Sequence, residues 1–165
     1  MDKINALILE MLEFDVGEPE LIQHFLKVYE FAKLIGSMEN ISSDDMAVLE
    51  AVSILHDIGI KVCMQKYGKC NGKLQEQEGP AYAEEMLRKL DFKPEQIERV
   101  SYLVAHHHTY TDIDRIDYQI LVEADFLVNL YENGNDKESI KSTYNKIFKT
   151  EAGRRLCNRM FLIED

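Results

Sequence analysis

The stretch Val48-Leu49-Glu50-Ala51-Val52-Ser53-Ile54-Leu55-His56-Asp57-Ile58-Gly59 sets the terms on which the rest of the chain is read. Val48, Leu49, Val52 and Leu55 recur at the spacing of a helix with one face in a core. Ser42 to Asp45 offers N-caps for that helix, and Gly59 marks its approximate end. His56 stands four residues after Val52 and so points the same way, inward. Asp57 is then at least partly buried. A carboxylate taken out of water is costly unless it is paired or binds a cation. Asp57 therefore either caps the turn before Gly59 or belongs to a site.

Outward from this segment the helical spacing continues in both directions. Lys3 to Phe14 places Ile4, Leu7, Ile8, Met11 and Leu12 on one side, and Gly17 breaks it. Pro19 suits a first helical turn, a long helix follows to about Ile35, and Gly36 is a plausible stop. Lys66 to Glu78 carries Gly68, Asn71 and Gly72 and reads as an irregular loop. Pro80 opens a helix to about Leu90, and Pro94 opens another that runs into three histidines. Tyr118 to Tyr131 is strongly apolar and reads as central; Asn133-Gly134 is a turn; one or two more polar helices finish the chain. Phe161 to Ile163 is the sole candidate strand. The fold class is all-α, a bundle of roughly six to eight helices.

The 165 residues fit a single domain over 1–165. Hydrophobic residues make up 45% and charged residues 30%, which excludes a disordered chain. A net charge of −11 argues against nucleic acid as the main partner and against an anionic membrane. It leaves small anionic substrates open, because a cation in a cleft inverts the local field. No apolar run reaches a membrane span. Cys63, Cys70 and Cys157 complete neither a zinc set nor an even disulfide framework, so the expected compartment is the cytoplasm.

The five histidines occupy three places: His24, His56 and His106-His107-His108. His24 shares the apolar stripe of Val28, Phe31 and Ile35. A lone core histidine needs no function, but here it has company. Asp125 lies in Ile120-Leu121-Val122-Glu123-Ala124-Asp125-Phe126-Leu127-Val128 and shares a face with Leu121 and Val128. No lysine or arginine on that helix offers to pair with it, and an uncompensated charge there would cost several kcal/mol. Asn129, one turn on, is placed to hydrogen-bond it. His24, His56, Asp57 and Asp125 explain one another if they share a divalent cation such as manganese, iron, cobalt, nickel or zinc.

In this order, on separate helices, these residues resemble the HD-domain superfamily of metal-dependent phosphohydrolases. His24 within His24-Phe25-Leu26-Lys27-Val28 matches the first histidine. His56-Asp57 within Leu55-His56-Asp57-Ile58-Gly59 matches the pair, and Asp125 within Glu123-Ala124-Asp125 the last aspartate. The resemblance covers about residues 20 to 130, with helices over 135–162 expected to pack on that core. It implies that His24, His56, Asp57 and Asp125 bind metal and that Asp57 also orients the attacking water. His107 and His108 match a later histidine region, as phosphate-binding groups or as an acid for the leaving group.

Superfamily members with two metals carry a further histidine before a Gly-Ala helix start. Here Gln75-Glu76-Gln77-Glu78-Gly79-Pro80 has none, so Glu76 or Glu78 either substitutes as a ligand, lies behind the first ligands, or merely starts a helix. Lys61 is a candidate phosphate clamp or a surface lysine. Lys66, Lys69 and Lys73 suggest a cationic lid or a solvated loop. The expected partner is a small phosphorylated molecule, an ester or nucleotide. Two other readings are a di-iron oxygenase of HD type and a metal-containing regulatory module.

Overall fold

The computed structural model describes residues 1–163, and among these there are nine helices and no strand. They are α1 (Lys3–Phe14), α2 (Pro19–Met38), α3 (Ser43–Leu55), α4 (Gly59–Tyr67), α5 (Gly72–Lys89), α6 (Pro94–Val104), α7 (Ile116–Glu132), α8 (Lys137–Ile147) and α9 (Glu151–Phe161). Phe161 to Ile163 is not a strand: α9 runs through Phe161 and Leu162 takes a left-handed conformation at φ 50°. Residues 164 and 165 of the expected domain lie outside the described residues.

The quoted stretch is central because its sequence gives α3 almost no polar side. Leu49, Ala51, Val52, Ile54 and Leu55 have no exposed surface, which a helix achieves only when neighbours surround it. α2 packs along α3, α6 and α7 lie against it as well, and α2 also runs along α7. α7 contributes Tyr118, Ile120, Leu121, Ala124 and Leu127 to the same core. Each large side chain buried there contributes about 1.5–3 kcal/mol.

Ser42 caps α3, accepting from the Asp45 N–H at 3.1 Å. The helix stops at Leu55, not at Gly59; His56 and Ile58 keep helical backbone angles through a tight turn, and Gly59 begins α4. A Cβ on Gly59 would stand 2.9 Å from the Gln75 carbonyl and 3.0 Å from the Gly79 nitrogen, so only glycine lets α4 and α5 cross this closely. That crossing lodges the His-Asp turn against α5.

The expected loop over Lys66 to Glu78 is mostly helix. Gly68 ends α4 at φ 66°, and Asn71 starts α5 by accepting from the Leu74 N–H at 3.0 Å. The glycines punctuate two helices rather than mark a long loop, which is why the helices outnumber the expected six to eight. Pro80 lies inside α5 instead of opening it. The lost backbone donor is tolerated because α4 and α6 hold α5 in place, and packing overrides propensity. Lys66 pairs with Glu78, which also accepts from the Tyr67 hydroxyl at 2.6 Å. The α4–α5 connection is therefore a clasped helix junction, not a cationic lid.

Residues 105–115 connect α6 to α7 and are anchored at both ends. Arg99 of α6 donates to both oxygens of Asp117 at 2.6 and 2.9 Å and to both of Asp114 at 2.8 Å. The Tyr118 hydroxyl lies against the carbonyls of His106 and Thr109. α8 and α9 pack on α7, and α9 also touches α2. Among the described residues no helix is long and apolar enough to cross a membrane.

Candidate metal centre

α2, the α3–α4 turn and α7 bring His24, His56, Asp57 and Asp125 to one buried point. His24 Nε2 lies 3.3 Å from His56 Nε2, 3.2 Å from Asp125 Oδ1 and 3.6 Å from Asp57 Oδ2. His56 Nε2 lies 3.5 Å from Asp57 Oδ2 and 3.5 Å from Asp125 Oδ1. A cation bonded to such donors at about 2.1 Å sets donor–donor edges of about 3.0 Å at right angles and about 3.4 Å at tetrahedral angles. The observed separations have that scale.

The far sides of the rings decide what faces inward. His56 Nδ1–H donates to the Ser53 carbonyl at 3.0 Å, and His107 Nδ1–H donates to the Val104 carbonyl at 2.9 Å. A carbonyl only accepts, so each neutral ring turns its Nε2 lone pair towards the cluster. His24 Nδ1–H donates to Glu132 Oε2 at 2.8 Å, with the same consequence. Inward lone pairs facing two inward carboxylates repel one another unless positive charge stands among them. A proton or a metal ion supplies it, and the donor set fits a divalent transition metal.

Asp57 links this cluster to a second one. Its Oδ1 lies 3.0 Å from His107 Nε2 and 3.7 Å from His108 Nε2. His107 is buried. His108 is half-buried and holds the opposite tautomer: its Nε2–H donates to Gln75 Oε1 at 2.5 Å, while Nδ1 accepts from the Tyr110 hydroxyl at 3.3 Å. His106 faces away, stacked on Tyr102 with ring centres 4.2 Å apart. Tyr110 also meets Phe126 edge to face at 5.3 Å.

The remaining candidates divide. Asn129 Nδ2 donates to Asp125 Oδ1 at 2.8 Å, the contact its spacing foretold. Glu76 accepts from the His108 N–H at 3.0 Å and the Thr109 hydroxyl at 3.1 Å, so it fixes the histidine turn from behind. Glu78 is engaged by Lys66 and Tyr67 instead of the histidines. Lys61 donates to the carbonyls of Phe14 and Val16 at 2.6 and 3.4 Å, because the α1–α2 junction presents both to α4. It clamps that junction, not a phosphate. Beside it Asp15 is fully buried and neither carboxyl oxygen has a hydrogen-bond partner; burial pushes its pKa up to about 6, with Lys61 acting the other way.

Sequence reading missed Glu132 and Gln75. Glu132 left a signal: Asp125, Asn129 and Glu132 form a polar stripe at i, i+4 and i+7 in the apolar C-terminal half of the helix. Gln75 showed only as a departure from the superfamily pattern.

Burial disfavours charge on His24, but the hydrogen bond and charge of Asp125, the charge of Asp57 and the bond to Glu132 prevail and push its pKa up to about 9. Burial likewise works against the charged forms of Asp57 and Asp125, yet the surrounding imidazoles hold both below the usual carboxylate range. The His24 proton therefore stabilises the metal-free fold fully below about pH 6.5, and that stability is lost as pH rises through about 9. The loss is expected to be on the order of 3 kcal/mol. The carboxylates act oppositely: their contribution is present above about pH 4 and lost in acid. Metal competes with the His24 proton, so binding should tighten as pH rises, by up to about tenfold per unit. Melting curves at pH 6.5 and 9, with and without manganese, check this. A metal-free melting temperature that stays flat or rises over that range contradicts it.

An HD-domain family model matches residues 21–149. The chain belongs to the HD-domain family. No curated protein matches it in sequence. Its fold is similar to the crystal structure of a predicted HD superfamily hydrolase from an uncultured Thermotogales bacterium. The match has a TM-score of 0.63 and 24% identity and covers 95% of this chain and 82% of the other. At that identity the likeness concerns the fold. The buried His/Asp cluster is the place in this fold with the donors an HD domain uses for a divalent metal.

Proposed function

We propose that the protein is a metal-dependent phosphohydrolase of the cytoplasm, acting on a small phosphate ester or nucleotide. The observation that carries this reading is the donor set itself. Two imidazole nitrogens and two carboxylate oxygens, all within 4.8 Å of one another, turn inward, and among the described residues the ion-pair partners of both aspartates are imidazoles alone. His24, His56, Asp57 and Asp125 would hold a divalent ion there. Such an ion (manganese, iron, cobalt, nickel or zinc) would lower the pKa of a water towards neutrality and polarise a phosphoryl oxygen.

The chain's own groups do the rest. Asp57 turns Oδ2 to the two histidines of the cluster and Oδ1 to His107, so it aligns the attacking water and hands its proton towards His107 Nε2. His108 offers an Nε2–H, now spent on Gln75, to a phosphoryl or leaving-group oxygen. Glu76 and Tyr118 hold the turn that carries both histidines. Asp57, His107 and His108 lie close enough for a second ion, but the His108 proton points at Gln75, and we assign one ion to the centre.

The test is phosphate release from a panel of phosphomonoesters, nucleotides and cyclic dinucleotides with each metal added, beside Asp57→Ala. Metal-dependent release that Asp57→Ala loses supports the reading and identifies the substrate class. A protein that binds the metal and releases phosphate from none of them overturns it. An iron chromophore would then favour the oxygenase, and a colourless protein the regulatory module.

A further inference from the structure

Of the three histidines that turn Nε2 inward, His24 alone has a carboxylate on its far nitrogen among the described residues. His56 and His107 lean on backbone carbonyls, of Ser53 and Val104. His24 leans on Glu132 Oε2 at 2.8 Å. A carbonyl fixes a ring's orientation and tautomer. A carboxylate does that and also pushes electron density through the imidazole, making its other nitrogen a stronger donor.

α7 holds this ring from both sides. Asp125 approaches Nε2 at 3.2 Å, and Glu132, two helical turns further on, approaches Nδ1 at 2.8 Å. Seven residues return a helix to nearly the same face, so the two acids straddle one imidazole of α2. The second oxygen of Glu132 pairs with Lys27, one turn along α2 from His24. Lys27 and Glu132 also line a surface cavity of about 600 Å³ with Pro19, Glu20, Gln23 and Asn133. The carboxylate that supports this buried histidine thus stands at the protein surface.

We propose that Glu132 is a positioning residue that sets the metal affinity of the centre through His24. Its second oxygen meets Lys27 at the surface, but the contact that matters is the one to His24. The proposal rests on reading the four-residue cluster as a cation site, not on any particular reaction.

The experiment is calorimetric titration of the full chain with Mn²⁺ and with Co²⁺, in Glu132→Gln, Glu132→Asp and Lys27→Met beside wild type. Glu132→Gln keeps the shape and an accepting oxygen but removes the charge. It is expected to weaken both ions by about 10–100-fold and to perturb the Co²⁺ absorption bands. Its metal-free melting temperature should change far less than its affinity. Glu132→Asp should restore part of the loss. Lys27→Met breaks the surface ion pair and leaves the His24 contact, so its affinity should stay within a few-fold of wild type.

Unchanged affinity in Glu132→Gln overturns the proposal. So does an equal loss in Lys27→Met, because that is the pattern of a plain clamp between α2 and α7. Wild-type protein that takes up neither ion overturns both this proposal and the function proposed above. Wild-type protein that binds the ions without phosphate release overturns only the latter.

Discussion

Asp125→Ala is expected to lower metal-dependent phosphate release by at least about a thousandfold and to abolish the stabilisation that metal gives. Asp125 Oδ1 faces both His24 and His56, at 3.2 and 3.5 Å, and is fixed by a neighbouring amide, Asn129 at 2.8 Å. Without it the cluster keeps two imidazoles and a single carboxylate, and that carboxylate is shared with His107. A three-donor set of lower charge holds a divalent ion poorly, and the catalysed path depends on the ion. In wild type, metal at 100–1,000 times its dissociation constant should add about 3–4 kcal/mol. For a chain of this size that raises the melting temperature by roughly 6–16 °C. In Asp125→Ala the rise should vanish. Asp125→Asn, which keeps the volume and removes the charge, should behave alike if charge is the cause. Phosphate release and melting curves with Mn²⁺ read both effects; a variant that keeps either its turnover or its metal-induced rise refutes this role.

The legibility of this site was uneven for physical reasons. Buried charge is conspicuous in a sequence, because apolar periodicity shows which way a side chain points. That is why Asp57 and Asp125 stood out, and why Val52 and Leu121 located them. Direction within a turn is less visible. Three consecutive histidines left open which one enters, and the bend after Val104 chose His107 by giving its Nδ1 a carbonyl. Lys61 shows the limit more sharply. Its identity suggested a phosphate clamp, but its direction is set by the Phe14 and Val16 carbonyls, far away in sequence.

The helices themselves were legible where a core demanded them. α3 and α7 are buried almost all round, and their long apolar runs show it. α4 buries only Gly59, Val62 and Cys63, too few to show a period, and the glycines beyond it suggested a loop. The helix forms because α5 packs along it. Glu132 was readable in principle from its place in the polar stripe. At a helix end, half in solvent, an acid also has the ordinary reading of a solvated side chain.

Glu123→Ala is expected to destabilise the fold by about 3–5 kcal/mol, because it empties a buried position whose only partners are hydrogen-bond donors. Glu123 has no exposed surface. It accepts from the N–H groups of Lys149 and Thr150 at 2.6 and 2.9 Å, the Thr150 hydroxyl at 2.5 Å and Gln119 Nε2 at 2.7 Å. The Lys149 and Thr150 donors form the entry to α9, where Thr150 in turn caps the Gly153 N–H at 2.9 Å. The carboxylate fits so closely that a Cβ on Gly153 would stand 1.9 Å from Oε2. Alanine at position 123 leaves buried N–H groups unmatched, and α8 and α9 lose their seat on α7. Urea unfolding measures the cost; a loss under about 1 kcal/mol contradicts it. Should Glu123→Ala fail to fold, Gly153→Ala tests the same seat by displacing the carboxylate. Affinity for Mn²⁺ should hold in whichever variant folds. Two residues along a helix turn a side chain by about 200°, so Glu123 faces α9 while Asp125 faces the histidines. Both are buried acids on one helix, and their partners separate them. Backbone and side-chain donors satisfy Glu123 fully and spend its charge on folding, whereas Asp125 meets ring nitrogens that leave room for a cation.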